Sequence, residues 1–265
     1  MTAPPLPLHG RIALLTGGSR GVGKGIAEEL SHAGASVFVT GRTVDASSFD
    51  APCVALRCDH TVDAEVESVF AKIEAAHGPV DILVNNVWGG YERMSENGVF
   101  TWPRPFWEQP IHRWDSMFAA GVRAHYVASR LAARGMVARR SGLIVNVSSW
   151  AARKHIGNVS YGVAKAATDK MTADMAHELR PHGVAVVSIY PGLVRTESVM
   201  AAAAFLDLSN SESPRFVGRA IAALAADPSL MADSGSVLVA AALARKYGFT
   251  DVDGKSPRPL TIEAV

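Results

Sequence analysis

The feature that most constrains this chain is a regular alternation of short, almost wholly apolar runs with longer stretches of helical periodicity. The runs are Ile12–Thr16, Ser36–Thr40, Val54–Arg57, Asp81–Val84, Gly142–Val147, Ala185–Ile189 and Ser236–Val239. They do not alternate polar with apolar, as a strand with one wet face would. Strands apolar on both sides fit a parallel sheet covered on both faces. Between them, stretches such as Gly23–Ala33 and Val62–His77 repeat apolar residues at the period of a helix. Strand, helix, strand in this order predicts an α/β fold: a Rossmann-type, doubly wound parallel sheet of about seven strands with helices on both faces. Right-handed crossovers then gather the strand ends, and any ligand, along one edge of the sheet. At 265 residues, with no linker or charge run dividing it, the chain is expected to form a single domain over residues 1–265.

Charge and cysteine usage narrow the function classes. Lys and Arg number 26 and Asp and Glu 25, for a net charge of +1. That balance gives no basic stripe for nucleic acid. The Pro-rich segment Met1–Gly10 lacks the basic and apolar regions of a secretory leader. No apolar run reaches the length of about 18 residues that spans a bilayer. Cytoplasmic residence is the expectation. Cys53 and Cys58 flank one predicted strand and, with strand geometry, point to opposite faces roughly 16 Å apart, so free thiols are expected. The nine histidines show no metal-binding spacing, and no metal site is expected.

The run Thr16-Gly17-Gly18-Ser19-Arg20-Gly21-Val22-Gly23 follows the first strand and opens the first helix. Glycines there let the chain turn sharply and bring its backbone close to a ligand. Unpaired N–H groups and the dipole at a helix start favour an anion, here a pyrophosphate. The spacing T-G-x-x-x-G-x-G differs from the general G-x-G-x-x-G. Its place between the first strand and first helix of a βαβ unit gives it weight. NAD enzymes usually carry an acid at the end of the second strand, for the ribose 2′-OH. That strand here ends in Gly41-Arg42, with no carboxylate. Arg42 can grip a 2′-phosphate through charge-assisted bonds, and Arg20 approaches from the glycine loop. The expected cofactor is therefore NADP(H). Asp59, after the third strand, has two readings: a partner for the adenine amine, or a cap for the helix that follows.

Tyr161 and Lys165 stand four apart in Ser160-Tyr161-Gly162-Val163-Ala164-Lys165, at the start of a predicted helix, so they share a face. To exchange its proton near neutrality, a tyrosine needs a shift of about 3 units, roughly 4 kcal/mol. A cation at about 4 Å supplies roughly that much at an effective dielectric constant of about 20. Lys165 can thus tune Tyr161 as a general acid/base. Ser148-Ser149 end the fifth run, where a hydroxyl can hold a substrate oxygen beside the tyrosine. Asn85-Asn86 end the fourth run and Pro191-Gly192 the sixth, with Thr196 shortly after. All lie at the carboxyl ends of predicted parallel strands, the edge where this architecture binds ligands.

Taken in order, T-G-x-x-x-G-x-G, N-N, Ser…Tyr-x-x-x-Lys and P-G resemble the short-chain dehydrogenase/reductase family over essentially the whole chain. The resemblance implies hydride transfer between a nicotinamide and a carbonyl or alcohol carbon. Tyr161 would be the acid/base, Lys165 its tuner and a ribose ligand, and Ser149 the partner of the substrate oxygen. It puts Thr16, Gly17, Ser19, Arg20, Gly21, Val22, Gly23, Arg42, Asp59, Asn85, Tyr161, Lys165, Pro191, Gly192, Val194 and Thr196 at cofactor positions. Three further segments are similar to one branch of that family: Tyr161 to Ala167, Ala176-His177-Glu178-Leu179-Arg180, and Ala244-Arg245-Lys246-Tyr247-Gly248 with Asp251-Val252-Asp253-Gly254. They imply NADPH-dependent reduction of carbonyls, with steroids and xenobiotic ketones among the substrates.

Three departures from the family pattern stand out. Ser149 lies 12 residues before Tyr161, one short of a common spacing, which Ser148 would meet. Ser149 is preferred as the second serine of the pair, with a one-residue loop deletion. Gly121 stands where many members carry an asparagine that holds a water in the proton relay. The chain stops at Val265 without the C-terminal apolar stretch of that branch, so membrane attachment is not expected.

The segment 88–110 reads as a long loop rich in aromatics, and all five tryptophans fall between Trp88 and Trp150. Trp88, Trp102, Trp107 and Trp150 either line a pocket for a bulky apolar ketone or pack the loop against its own domain. His155 either lines that pocket or lies on the surface. The expected partner is a small-molecule ketone or alcohol. In relatives, helices like 114–138 and 160–180 pair across an interface, which implies a homodimer or homotetramer. A non-catalytic NADP(H)-binding regulatory protein of the same fold is the competing reading. An epimerase or dehydratase using the nicotinamide transiently is a third.

Overall fold

A computed structural model of the chain describes residues 6–265; residues 1–5, half of the Pro-rich segment, lie outside the described residues. Seven strands form one parallel sheet: β1 (Ile12–Thr16), β2 (Ser36–Gly41), β3 (Val54–Arg57), β4 (Ile82–Asn85), β5 (Gly142–Val147), β6 (Val184–Tyr190) and β7 (Val237–Val239). Their spatial order is β3-β2-β1-β4-β5-β6-β7. The helices are α1 (Gly21–His32), α2 (Asp63–His77), α3 (Ile111–Met117), α4 (Ala124–Arg139), α5 (Val159–Leu179), α6 (Glu197–Ala201), α7 (Pro214–Ala226) and α8 (Ala240–Tyr247).

The apolar runs are continuous because both sheet faces are dry. Ala13, Leu15, Val37, Val39, Val145 and Val187 pack against α1, α7 and α8. Their neighbours Leu14, Phe38, Leu83, Ile144 and Val186 pack against α2, α4 and α5. This is the two-residue period of a strand, with an apolar layer on each side. The strand order reverses at β1, with β2 and β3 to one side and β4 to the other. A crevice therefore opens above β1 and β4, whose ends Thr16 and Asn85 are registered neighbours.

Predicted and observed boundaries differ by a residue or two. The fourth strand starts at Ile82 rather than Asp81 and runs on to Asn85. The Asp81 carboxylate accepts the Ile12 N–H at 2.8 Å, so this residue ties β1 to β4 from just outside the strand. The larger difference lies in the segment read as a loop. Ser95–Glu96 and Val99–Phe100 form a two-residue hairpin. Its turn, Asn97-Gly98, has φ of 50° and 78°, the left-handed pair that an Asn-Gly hairpin turn requires. Beyond it, buried Arg113 donates to the Thr101 carbonyl at 3.1 Å. Gln109 Nε2 donates to the carbonyls of Trp102 (3.0 Å) and Arg104 (2.7 Å). Irregular backbone stays ordered here because side chains satisfy its carbonyls.

The N-terminal half of α1 carries the glycine loop and is clamped by α7. A Cβ on Gly25 would lie 2.3 Å from the Pro214 carbonyl carbon, and one on Gly218 would lie 2.5 Å from the Gly25 carbonyl oxygen. Two bare backbones thus make the crossing. Gly25→Ala is expected to cost about 1–3 kcal/mol through overpacking. The check is a lowered urea midpoint with an unchanged slope.

Candidate active site

The glycine loop is folded against the end of β4. Thr16 Oγ1 accepts the N–H groups of Asn86 (3.1 Å) and Val87 (3.2 Å), and Asn86 Nδ2 donates to the Gly17 carbonyl at 2.6 Å. Gly17 has φ +71°, and a Cβ there would sit 2.5 Å from Val87 Cα. A Cβ on Gly23 would sit 2.3 Å from the Gly17 carbonyl oxygen. Helix α1 then starts from extended Arg20 with no side-chain cap. The Glu197 carboxylate lies 3.3 Å from the Gly21 nitrogen, so an anion of the chain itself already sits at this helix start. A Cβ on Gly41 would lie 2.5 Å from Ser19 Oγ, which shows the loop laid over the end of β2. Arg20 and Arg42 are both exposed there, and Arg42 pairs with Glu92 at 3.1 Å. Asp59 Oδ1 accepts from the Thr61 N–H (2.9 Å) and hydroxyl (2.7 Å). Those bonds, the backbone one foremost, hold its carboxyl below the usual range. Asp59 thus closes a turn onto Thr61, and it does not cap α2, which starts from Val62 with no side-chain cap. A helix start that attracts a carboxylate, beside two exposed arginines and with no acid at the end of β2, fits a dinucleotide phosphate.

Across the crevice, Gly192 after β6 donates its N–H to Glu212 Oε2 at 2.9 Å, and Val194 bridges to the Glu212 backbone. Burial pushes the Glu212 carboxyl up to about 7. Thr196 caps α6 by accepting the Val199 N–H at 3.3 Å, and its methyl lies 3.3 Å from where a Cβ on Gly21 would be. The two asparagines ending β4 divide. Asn86 holds the glycine loop. Asn85 turns into the sheet, donating to Asn146 Oδ1 (2.8 Å) and Ser129 Oγ (2.9 Å). Asn146 continues to Thr172 (2.8 Å), and Thr172 to Ser188 (2.9 Å). This buried row joins β4, β5, β6 and α5 beneath the site.

Asn158 sets the start of α5. Its Oδ1 accepts the Tyr161 N–H and its Nδ2 donates to the Trp102 carbonyl, both at 3.1 Å. One turn on, Lys165 is buried, and its Nζ donates to the Val147 carbonyl at 3.0 Å. The two serines also divide. Ser148 is buried and donates to the Lys165 carbonyl at 3.4 Å. Ser149 accepts the Ala151 N–H at 3.3 Å, and its hydroxyl lies on the side of the Tyr161 hydroxyl. Burial pushes Tyr161 above its ordinary value, and the hydroxyls of Ser149 and Tyr91 work against that. Burial lowers the Lys165 amine to about 7, with Asp169 opposing. The lysine's effect on the tyrosine is thus smaller than the spacing suggests. The Lys165 nitrogen lies 5.8 Å from the Tyr161 ring centroid and is not always charged at neutral pH.

Three aromatic side chains close around Tyr161, with ring centroids at 5.5 Å (Trp88), 5.8 Å (Trp102) and 6.0 Å (Tyr91). Of the four tryptophans expected near this edge, Trp88 and Trp102 face the tyrosine. Trp107 is exposed against Phe106, and Trp150 packs edge-on to Tyr190. His155 is exposed. Sequence reasoning missed Asn86 as the loop's anchor, Tyr91 as a hydroxyl partner, Glu197 and Asn158. Only Asn158 carried a usable signal, a capping residue just before a helix.

Residues 11–206 match the short chain dehydrogenase family, and the chain belongs to it. It is therefore an oxidoreductase of the kind that works with a nicotinamide cofactor. Over 271 residues it is 42% identical to dehydrogenase/reductase SDR family member 1 of Mus musculus and 41% identical to that of Homo sapiens. Both alignments cover 94% of this chain and 85% of the relative. A solved short-chain type dehydrogenase/reductase from Mycobacterium marinum superposes with a TM-score of 0.74 at 27% identity, covering 88% of this chain and 95% of that one. Among the described residues, no helix is long and apolar enough to cross a membrane, and no cluster of metal-ligating side chains occurs.

The buried amine makes stability depend on pH. Lys165 drops from 10.5 to about 7 on folding, so between those values the unfolded chain binds more protons and stability rises with pH. Below about pH 7 the folded chain bears the full cost of the buried charge. Lys165→Met is expected to raise the urea midpoint most at about pH 6 and least at about pH 10, where the unfolded lysine also approaches neutrality.

Proposed function

We propose that the chain is an NADP(H)-dependent carbonyl reductase, or alcohol dehydrogenase in reverse, acting on bulky apolar ketones with Tyr161 as general acid/base. The observation that carries this reading is the Tyr161 side chain, set beside Ser149 and walled by Trp88, Tyr91 and Trp102, at the sheet edge that holds the glycine loop. When bound, the nicotinamide supplies or accepts a hydride. The chain's residues manage the oxygen and its proton. Ser149 Oγ already accepts from Ala151, which leaves its own hydrogen for a substrate oxygen. A Tyr161 held above its ordinary value is protonated at neutral pH, the form that gives its Oη proton to a ketone. Three aromatic walls suit a large apolar carbonyl compound better than a small polar one.

Arg20 and Arg42 support the phosphorylated cofactor. The Arg42–Glu92 pair is exposed, and such pairs are weak, so a 2′-phosphate can take the guanidinium over. Thr16, Gly17, Ser19, Gly21, Val22 and Gly23 form the pyrophosphate cradle in this reading, and Pro191, Gly192, Val194 and Thr196 the nicotinamide side. Asp59, after β3, stands on the adenine side, and Asn85 lies in the buried row beneath the site. The whole chain acts as one cofactor-binding domain. Exposed Tyr126 on α4 and Val163 on α5 support self-association through those helices, and two free thiols suit the cytoplasm.

The test follows loss of NADPH absorbance against steroid, aryl and dicarbonyl ketones. Wild type is expected to turn over, and Tyr161→Phe to lose about 10²–10⁴-fold in rate. Arg42→Ala is expected to weaken NADPH about 10–100-fold while leaving NADH unchanged. A clear preference of the wild type for NADH would overturn the cofactor assignment. Tight NADPH binding with no ketone reduced would favour a binding protein.

A further inference from the structure

We propose that Trp88 is a positioning residue, whose indole face, seated on the bare backbone of Gly121, holds the buried Lys165 ammonium beside Tyr161. The inference rests on the reading of Tyr161 as the acid/base. The Lys165 nitrogen lies 3.9 Å from the Trp88 ring centroid, squarely within cation–π range. Lys165 is 5% exposed, and such attraction is strongest where water is excluded. The same indole meets the Tyr161 ring edge-on, at 5.5 Å and 84°. One ring thus touches both members of the pair. Its own N–H finds no partner among the described residues, so no hydrogen bond explains its placement.

The seat for this ring is made by missing side chains. A Cβ on Gly121 would lie 2.7 Å and 2.8 Å from indole carbons Cζ3 and Cε3. Gly121 sits inside a widened π-helical turn, Phe118–Arg123, a form that recurs at functional sites. The next residues interlock in the same way. A Cβ on Gly89 would strike the Ser116 carbonyl oxygen at 2.5 Å, and one on Gly90 would lie 2.9 Å from Met117 Cγ. Segments 88–90 and 116–121 therefore fit each other only with glycine at these places.

The other groups facing Lys165 do not replace the ring. From α4, His125 is buried, gives its Nε2 to the Val87 carbonyl bond at 2.9 Å and is held neutral, near 3. From α5, Asp169 favours the ammonium but is also hydrogen-bonded by Tyr190. From β5, Val147 offers a carbonyl. Tyr161 is uncharged at neutral pH, and Ser149 and Tyr91 face its hydroxyl. Removing the ring face disfavours the charged lysine and frees its amine from its place beside Tyr161.

The experiment is an NMR titration of the Lys165 side chain through its labelled Cε, assigned by its loss in Lys165→Met, in wild type, Trp88→Leu, Trp88→Phe and Gly121→Ala. It is paired with the pH profile of kcat for alcohol oxidation. Trp88→Leu is expected to move the Lys165 titration down by about one pH unit. KM for the nucleotide should rise with it, since Lys165 is also read as a ribose ligand. Gly121→Ala, which pushes the indole away, should shift the titration the same way. Trp88→Phe, which keeps a ring face, should restore most of the wild-type value. An unmoved titration in folded Trp88→Leu, or equal shifts in the Leu and Phe variants, overturns the proposal. If Trp88→Leu does not fold, Gly121→Ala decides by the same criterion. A shifted titration with no ketone reduced would refute the functional reading and keep the positioning role. Turnover with an unmoved titration would do the reverse.

Discussion

A buried ammonium needs compensation, and much of this active edge is arranged around one. Lys165 sits where burial drives its amine toward neutrality. What it has in return is one strand-end carbonyl, the face of one indole and a carboxylate a turn away. Each comes from a different element: β5, the segment after β4, and α5 itself. To bring them together, β5 must end level with the start of α5, and the segment after β4 must fold back over both. Asn158 serves that requirement from two sides, capping α5 and holding the Trp102 carbonyl.

The crevice itself is shaped as much by absent atoms as by present ones. The glycine loop reaches β4 because Gly17 and Gly23 bring no Cβ, and α1 meets α7 because Gly25 and Gly218 bring none. The indole of Trp88 enters because Gly121 brings none. These contacts are backbone against backbone or ring against backbone, so they have little room to relax. That rigidity suits a site whose hydroxyl and amine must hold fixed positions. Below it, the buried row from Asn85 through Asn146 and Thr172 to Ser188 ties three strand ends to α5. It fixes the height of the catalytic helix against the sheet.

The parallel sheet was legible because strands dry on both faces must be apolar throughout, and seven such runs were visible. The glycine loop, Tyr161 with Lys165, and Ser149 were legible because each lies at the end of a run, and strand ends meet at one edge in this architecture. Side-chain direction was not legible. Asn85 and Asn86 are adjacent and chemically identical, yet one points into the sheet and the other to the loop. Ser148 and Ser149 divide in the same manner, as the strand period dictates once register is set. The segment 88–110 read as a loop because its hairpin is only two residues a side; the Asn97-Gly98 turn was its one local mark.

Sequence by itself determined the fold class, the sheet edge where the motifs gather and the residue types available there. These follow from local periodicity and from the places where periodicity stops. Tertiary structure alone decided which aromatics face Tyr161, that Arg42 pairs with Glu92, and that Trp88 lies on Lys165 over Gly121. Those facts join residues tens of positions apart through contacts of a few ångströms. Such contacts depend on the relative placement of packed elements, which no local pattern encodes. The electrostatic balance at Tyr161 belongs to the same class, since burial outweighs the neighbouring hydroxyls and is a property of the whole fold.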